Sequence, residues 1–204
     1  VQTVDGKLYI FAGASRSGKT AKAVKEVKRN RRVIVWDPED QWSKLPGFRR
    51  VTTRADLLQI VTTISGPCRV AYVAGGKLSD AFNFWAGCAY HWGRYHGPCA
   101  AVAEELADVS TPGKAPDKWG LLIRRGLKRG IDIFAISQRW AEADKTAIGN
   151  ASMFYVFRQM GDDVPYMARK TRVPVEKLDG MKPLEFVTVD AHTGQVSGVQ
   201  RLRF

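Results

Sequence analysis

The densest chemistry in this chain is Gly13-Ala14-Ser15-Arg16-Ser17-Gly18-Lys19-Thr20, which fits G-x-x-x-x-G-K-[ST]. Each fixed position in that spacing has a physical reason. The two glycines take backbone angles that side chains forbid, so consecutive N–H groups can turn inward around an anion. Lys19 is then placed to reach the β- and γ-phosphates of a nucleotide, and the Thr20 hydroxyl to ligate Mg²⁺. A helix beginning there points its positive end at the phosphates. The flanks supply the context that a chance match would lack. Leu8-Tyr9-Ile10-Phe11-Ala12 reads as a buried strand running into the loop, and Ala21 to Lys28 as a helix with Ala21, Val24 and Val27 on one side. The expectation is binding of a nucleoside triphosphate with Mg²⁺.

A second group of residues turns binding into hydrolysis. Cys99-Ala100-Ala101-Val102-Ala103 reads as a small-residue strand that ends in Glu104-Glu105. A P-loop enzyme needs an acid at the end of a neighbouring strand for the metal held by the loop threonine, and a base or water-positioning group facing the γ-phosphate. Glu104 is expected on the metal side and Glu105 as the base. Gln138 ends the next strand, Ile131 to Ser137, where an amide can hold the attacking water or sense the γ-phosphate. Asp37 ends another strand, Val33-Ile34-Val35-Trp36, and either reaches the site or caps the turn that Pro38 begins. The basic run Arg124-Arg125-x-x-Lys128-Arg129 has three readings: a solvated face, a contact to DNA phosphates, or an arginine that enters a neighbouring subunit's site. Arginine suits the last role because its planar fork stays charged.

These groups must be carried by alternating strands and helices. Apolar helical spacing marks Arg54 to Ile64, with Leu57, Leu58, Val61 and Ile64 on one face, and a long helix capped by Ser79 that runs to about Tyr95. The latter carries Phe82, Phe84, Trp85, Tyr90, Trp92 and Tyr95, a stripe for core packing or a subunit interface. Cys68 to Val73 is a strand. Helices are expected at Asp117 to Lys128, Ala141 to Asn150 and Asp162 to Thr171, with one further turn at Pro174 to Leu178. Met153 to Gln159 is a strand, and Glu185 to Asp190 and Ser197 to Arg203 form a terminal hairpin. The fold class is α/β, a three-layer, mostly parallel sheet with helices on both faces. No repeat or linker interrupts residues 1–204, which read as one P-loop ATPase domain.

Composition narrows the partners. Hydrophobic residues make up 45% and charged residues 25% of the 204, which fits a globular chain with a sizeable core. No apolar run approaches the ~20 residues that span a bilayer. Lys and Arg number 32 against 20 acids, a net charge of +12, and a nucleic acid is the commonest polyanion to answer such a charge. Cys68, Cys88 and Cys99 lack C-x-x-C spacing and read as small buried hydrophobes rather than a zinc site or a disulfide frame. His91 and His96 lack partners at metal-ligand spacing.

The loop Gly13 to Thr20, the strand and turn Val33 to Trp42, the acids Glu104-Glu105, and Gly130-Ile131-Asp132-Ile133-Phe134-Ala135-Ile136-Ser137-Gln138-Arg139 together resemble the FtsK–HerA superfamily of DNA-translocating ATPases. The pattern is most like the small genome-packaging ATPases of membrane-containing double-stranded DNA viruses, and it spans about Leu8 to Val189. The last segment is similar to the family's glycine, apolar strand and T/S-Q-R. Two departures stand out: Glu104-Glu105 replaces the usual Asp-Glu, and Trp140 stands where Pro often follows the Gln-Arg pair. The resemblance implies a P-loop NTPase of the additional-strand, RecA-like type with a C-terminal β-hairpin, using ATP and Mg²⁺. It implies a homo-oligomeric ring, a hexamer in the family's manner, with ATP between subunits and Arg125 as the trans arginine finger, Arg124 and Arg129 being the alternatives. It further implies double-stranded DNA in a central channel, gripped from within Lys114 to Arg129 and Arg169 to Arg172. Capsid vertex proteins would be partners, and the virion's packaging vertex and the host cytoplasm the locations.

Overall fold

The computed structural model describes residues 5–203. The chain alternates strands and helices in the order β1 (Leu8–Ala12), α1 (Lys19–Val27), β2 (Arg32–Trp36), β3 (Arg49–Val51), α2 (Arg54–Thr63), β4 (Cys68–Tyr72), α3 (Leu78–His96) and β5 (Ala100–Ala103). It continues with α4 (Asp117–Leu121), β6 (Asp132–Ser137), α5 (Lys145–Gly149), β7 (Met153–Phe157), α6 (Asp163–Thr171), α7 (Val175–Asp179), β8 (Glu185–Asp190) and β9 (Gln200–Arg201). The strands form one nine-stranded sheet in the order β3-β4-β2-β5-β6-β1-β7-β8-β9. Every pairing from β3 to β7 is parallel, and β8 and β9 add antiparallel at one edge. Strand β6 lies between the P-loop strand β1 and the acid strand β5, as the additional-strand architecture requires.

Strand periodicity sorts β1 between the two faces. Leu8, Ile10 and Ala12 join a core with Trp36, Phe82, Trp85, Trp92 and Trp119, beneath α2, α3 and α4. Tyr9 and Phe11 join the opposite core with Phe134, Tyr155 and the α1 residues Ala23 and Val27. Rings stack along that second face, Tyr9 on Phe134 at 4.9 Å and Phe11 on Tyr155 at 4.7 Å between centroids. The α3 aromatics divide: Phe82, Trp85 and Trp92 are core, whereas Tyr95 is exposed. Cys88 and Cys99 are free and buried, and burial pushes both thiols up to about 12.

Several local expectations change. Ser79 does not cap α3; the helix begins one residue earlier, after Lys77, without a side-chain cap. The helix expected from Ala141 contracts to Lys145–Gly149, because Asp144 caps it through the Thr146 N–H. Helix α4 runs on through a π-helical turn, Leu122–Gly126, and a 3-10 turn, Leu127–Arg129, before Gly130 ends it at φ 72°. The final strand is two residues long, tied further down by a bridge between Val189 and Val196. Strand β3 was not foreseen, since Arg49 and Arg50 are exposed at the sheet edge and show no apolar run.

Candidate functional site

The site grows from the C-terminal ends of β1, β2, β5 and β6, the edge where open parallel sheets receive ligands. After β1 the chain has little room. A Cβ on Gly13 would lie 2.7 Å from the Phe157 Cβ and 2.7 Å from the Ser17 Oγ. Gly18 takes φ 103°, a left-handed angle that only glycine holds cheaply, and the Leu184 and Leu202 side chains pack against it. The Ala14 N–H is held by the Arg158 carbonyl at 2.9 Å, so the loop after β7 braces the P-loop from the side.

Lys19 is 6% exposed, and its ammonium donates to the Gly13 and Ala14 carbonyls at 2.8 and 2.9 Å. Burial lowers its proton affinity, with the charges of Glu105 and Glu104 acting the other way. Ser17 Oγ is buried with no hydrogen-bond partner among the described residues. A buried orphan hydroxyl beside an anion loop fits a site whose partner is a ligand.

Glu104 and Glu105 diverge in environment although they are neighbours. Glu104 is 6% exposed and accepts the Trp42 indole N–H at 2.7 Å. It also hydrogen-bonds the Thr20 side chain. Burial pushes its carboxyl up to about 7, against the pull of the Trp42 and Thr20 bonds. Glu105 sits at φ 43°, a strained angle for a residue with a side chain, and turns into the cleft, where Oε1 accepts from Gln138 Nε2 at 2.9 Å. Asp37 is fully buried; its two oxygens accept the Gln41 and Ser43 N–H groups at 2.8 and 2.9 Å. It caps the turn and also lines the cleft, so both readings of this residue hold.

One cleft of about 400 Å³ gathers Ser15 to Ala21, Asp37, Glu39, Gln41, Glu104, Glu105, Gln138 and Leu184. That volume suits a small-molecule ligand such as a nucleotide. A second hollow of about 420 Å³ shares Glu105 and Gln138 with it and extends to Arg139, whose guanidinium pairs with Glu142 at 2.7 Å. Trp140, in place of the family's proline, is buried and donates its indole N–H to the Phe11 carbonyl at 3.0 Å.

The residues foreseen as phosphate-binding, metal-side, base and sensor thus converge in one place. Arg124, Arg125 and Arg129 do not. They are exposed on the helical segment leading to the start of β6, whereas the cleft is at that strand's far end, one six-residue strand or about 20 Å away. Trp42, Leu184, Glu39 and Gln41 had no role on sequence grounds. Trp42 is 62 positions from Glu104, and only the side-by-side pairing of β2 and β5 brings them together.

No protein-family model matches the chain. The B204 genome-packaging NTPase of Sulfolobus turreted icosahedral virus 2, solved with AMPPCP, superposes with a TM-score of 0.74 at 13% identity over 98% of both chains. VirB4 of Thermoanaerobacter pseudethanolicus superposes at 0.63, with 10% identity, over 97% of this chain and 89% of its own. This chain has the fold of the FtsK–HerA type P-loop ATPases. In sequence it is similar to Protein P9 of Pseudoalteromonas phage PM2, 26% identical over 199 residues and 89% of each chain.

Proposed function

We propose that this FtsK–HerA-like chain is an ATP-hydrolysing motor that moves double-stranded DNA and packages a viral genome into a preformed capsid. The observation that carries the reading is the convergence of Lys19, Thr20, Glu104, Glu105 and Gln138 on one cleft at the C-terminal sheet edge. The similarity to viral packaging NTPases solved with ATP analogues supports ATP as the nucleotide, and the net charge of +12 supports a polyanionic track.

The chain's own residues divide the work. The N–H groups of Gly13 to Thr20 cradle the phosphates. Lys19 leaves its loop carbonyls and pairs with the β- and γ-phosphates. Thr20 and Glu104 would hold Mg²⁺, which supplies charge neutralisation on the phosphate oxygens. They fit it: an alcohol and a carboxylate are hard oxygen donors, already hydrogen-bonded to one another. Among the described residues no cluster of three His, Cys, Asp or Glu forms a full protein cage, so phosphate and water would complete the shell. Glu105 is the general base, taking a proton from the attacking water at its free oxygen. Gln138 orients Glu105 through their hydrogen bond and senses the γ-phosphate. Residues 1–204 act as one motor domain. An arginine on the far end of the next subunit, Arg125 first, completes the site in a ring, and the ring works at a capsid vertex in virion and host cytoplasm.

ATPase activity with and without duplex DNA tests this. The wild type is expected to turn over ATP faster with duplex. Lys19→Ala loses binding and turnover, and Glu105→Gln keeps binding but loses turnover. Wild-type turnover no greater than that of Lys19→Ala, with or without DNA, sinks the proposal; lost binding in Glu105→Gln instead reverses the assignment of the two acids.

A further inference from the structure

At the sheet edge opposite the nucleotide cleft lies a smaller hollow of about 370 Å³, lined by Arg29, Asn30, Arg31, Arg32, Ser65, Gly66 and Pro98. It sits one helix length from the P-loop, about 14 Å along α1. Three arginines lie within four positions there, and the acid that pairs with one of them, Asp132, is already committed. Asp132 takes Arg29 at 3.6 Å, the Asn30 amide at 3.1 Å and the Lys7 N–H at 2.9 Å. Arg29 also donates to the Tyr9 hydroxyl. No ion pair among the described residues includes Arg31 or Arg32.

Arg32 is the informative member. It is 6% exposed, its Nη2 donates to the Pro98 carbonyl at 3.0 Å, and its guanidinium lies 5.8 Å from the centre of the Trp92 ring. Its Nη1 is buried with no hydrogen-bond partner among the described residues. A buried charged donor left unpaired costs roughly 1–3 kcal/mol or more, so this nitrogen favours an anion that enters the hollow. The group is held rigidly by a carbonyl and a ring, while Arg31 beside it is exposed and free to close over a ligand.

We propose that this arginine hollow is a phosphate-binding subsite and that its ligand is a backbone phosphate of duplex DNA. The planar fork of an arginine matches a phosphate's oxygens in pairs. The phosphate chemistry follows from the hollow itself; the choice of DNA as its source rests on the motor reading above. The hollow lies at the sheet edge opposite the subunit's own ATP cleft, so the two ligands do not compete for one site.

The test is duplex binding by fluorescence anisotropy across a salt series, with nucleotide affinity measured beside it. Arg31→Ala leaves Arg32 and its contacts with Pro98 and Trp92 in place, and Ser65→Glu puts a carboxylate in the hollow from an exposed position. Loss of one phosphate contact flattens the plot of log affinity against log salt by about 0.9. That change is expected in Arg31→Ala, with at least tenfold weaker duplex binding in Ser65→Glu and unaltered nucleotide affinity in both. Wild-type duplex affinity and slope in both variants overturn the subsite. A second arm titrates inorganic phosphate into the same proteins. Wild type that ignores duplex but binds inorganic phosphate, with binding lost in Ser65→Glu, keeps the subsite and refutes DNA as its source.

Discussion

Glu104 makes the protein less stable where it makes the site usable, and the size of that trade can be worked out. Its carboxyl is raised from 4.5 to about 7, chiefly by burial. Below pH 4.5 the folded and unfolded chains both hold the proton and the group is neutral to stability. Between 4.5 and 7 the unfolded chain gives the proton up while the folded chain keeps it, so stability falls as pH rises. Above 7 the folded carboxylate is ionised too, and the loss levels off at about 3 kcal/mol. Glu104→Gln removes the ionisation while its amide still accepts from Trp42 and stays hydrogen-bonded to Thr20. The variant should therefore melt close to wild type at pH 4.5, and at pH 8 should melt higher by roughly 6–12 °C, taking 2–4 °C per kcal/mol for a chain of this size. The assay is thermal unfolding of ligand-free protein by circular dichroism across that range. The same variant should lose the Mg²⁺ dependence of nucleotide binding, the usual exchange of stability for function at a site. Parallel melting curves for the two proteins from pH 4.5 to 8 would refute the idea that Glu104 is held against its charge.

Trp42→Phe deletes the indole N–H that Glu104 accepts, so the stability loss with pH should begin where it does in wild type but continue to a higher pH and be larger in total; in a Glu104→Gln background the same change should have no pH dependence, a cycle read by the same melts. Gly13→Ala forces a methyl to within 2.7 Å of both Phe157 and Ser17, which cannot both yield, and calorimetry should show nucleotide affinity down by at least tenfold. Arg125→Ala is exposed and should leave folding and ATP binding unchanged while lowering ring turnover by ~10³ or more, if it is the trans finger. Mixing it with Lys19→Ala subunits should restore those interfaces that pair an intact loop with an intact arginine, so a mixture of the two inactive variants that stays inactive would count against that role.

Legibility in the sequence followed the distance over which each feature is built. The phosphate cradle was readable because its eight residues are contiguous and its conformation is local: two glycines, a lysine and a hydroxyl suffice. Glu104, Glu105 and Gln138 were readable one step further out, because each ends an apolar strand and parallel strands deliver their ends to a common edge. Helix limits were less so. Asp144 rather than the helical pattern set the start of α5, and Ser79 lost to a start one residue earlier.

What the sequence determined by itself is the P-loop, the alternating α/β order and the pair of acids, since these depend on neighbours along the chain. What only the tertiary structure decided depends on residues far apart. Trp42 meets Glu104 because β2 pairs with β5. Leu184 and Leu202, from the chain's last hairpin, close on Gly18. The two acids part company because one is drawn into the core and the other turns out at φ 43°. Arg32 is buried by Trp92 and Pro98, with one nitrogen paired to the Pro98 carbonyl and another left without a partner among the described residues. Burial and pairing set the charge state of these groups, and neither exists until the sheet has assembled.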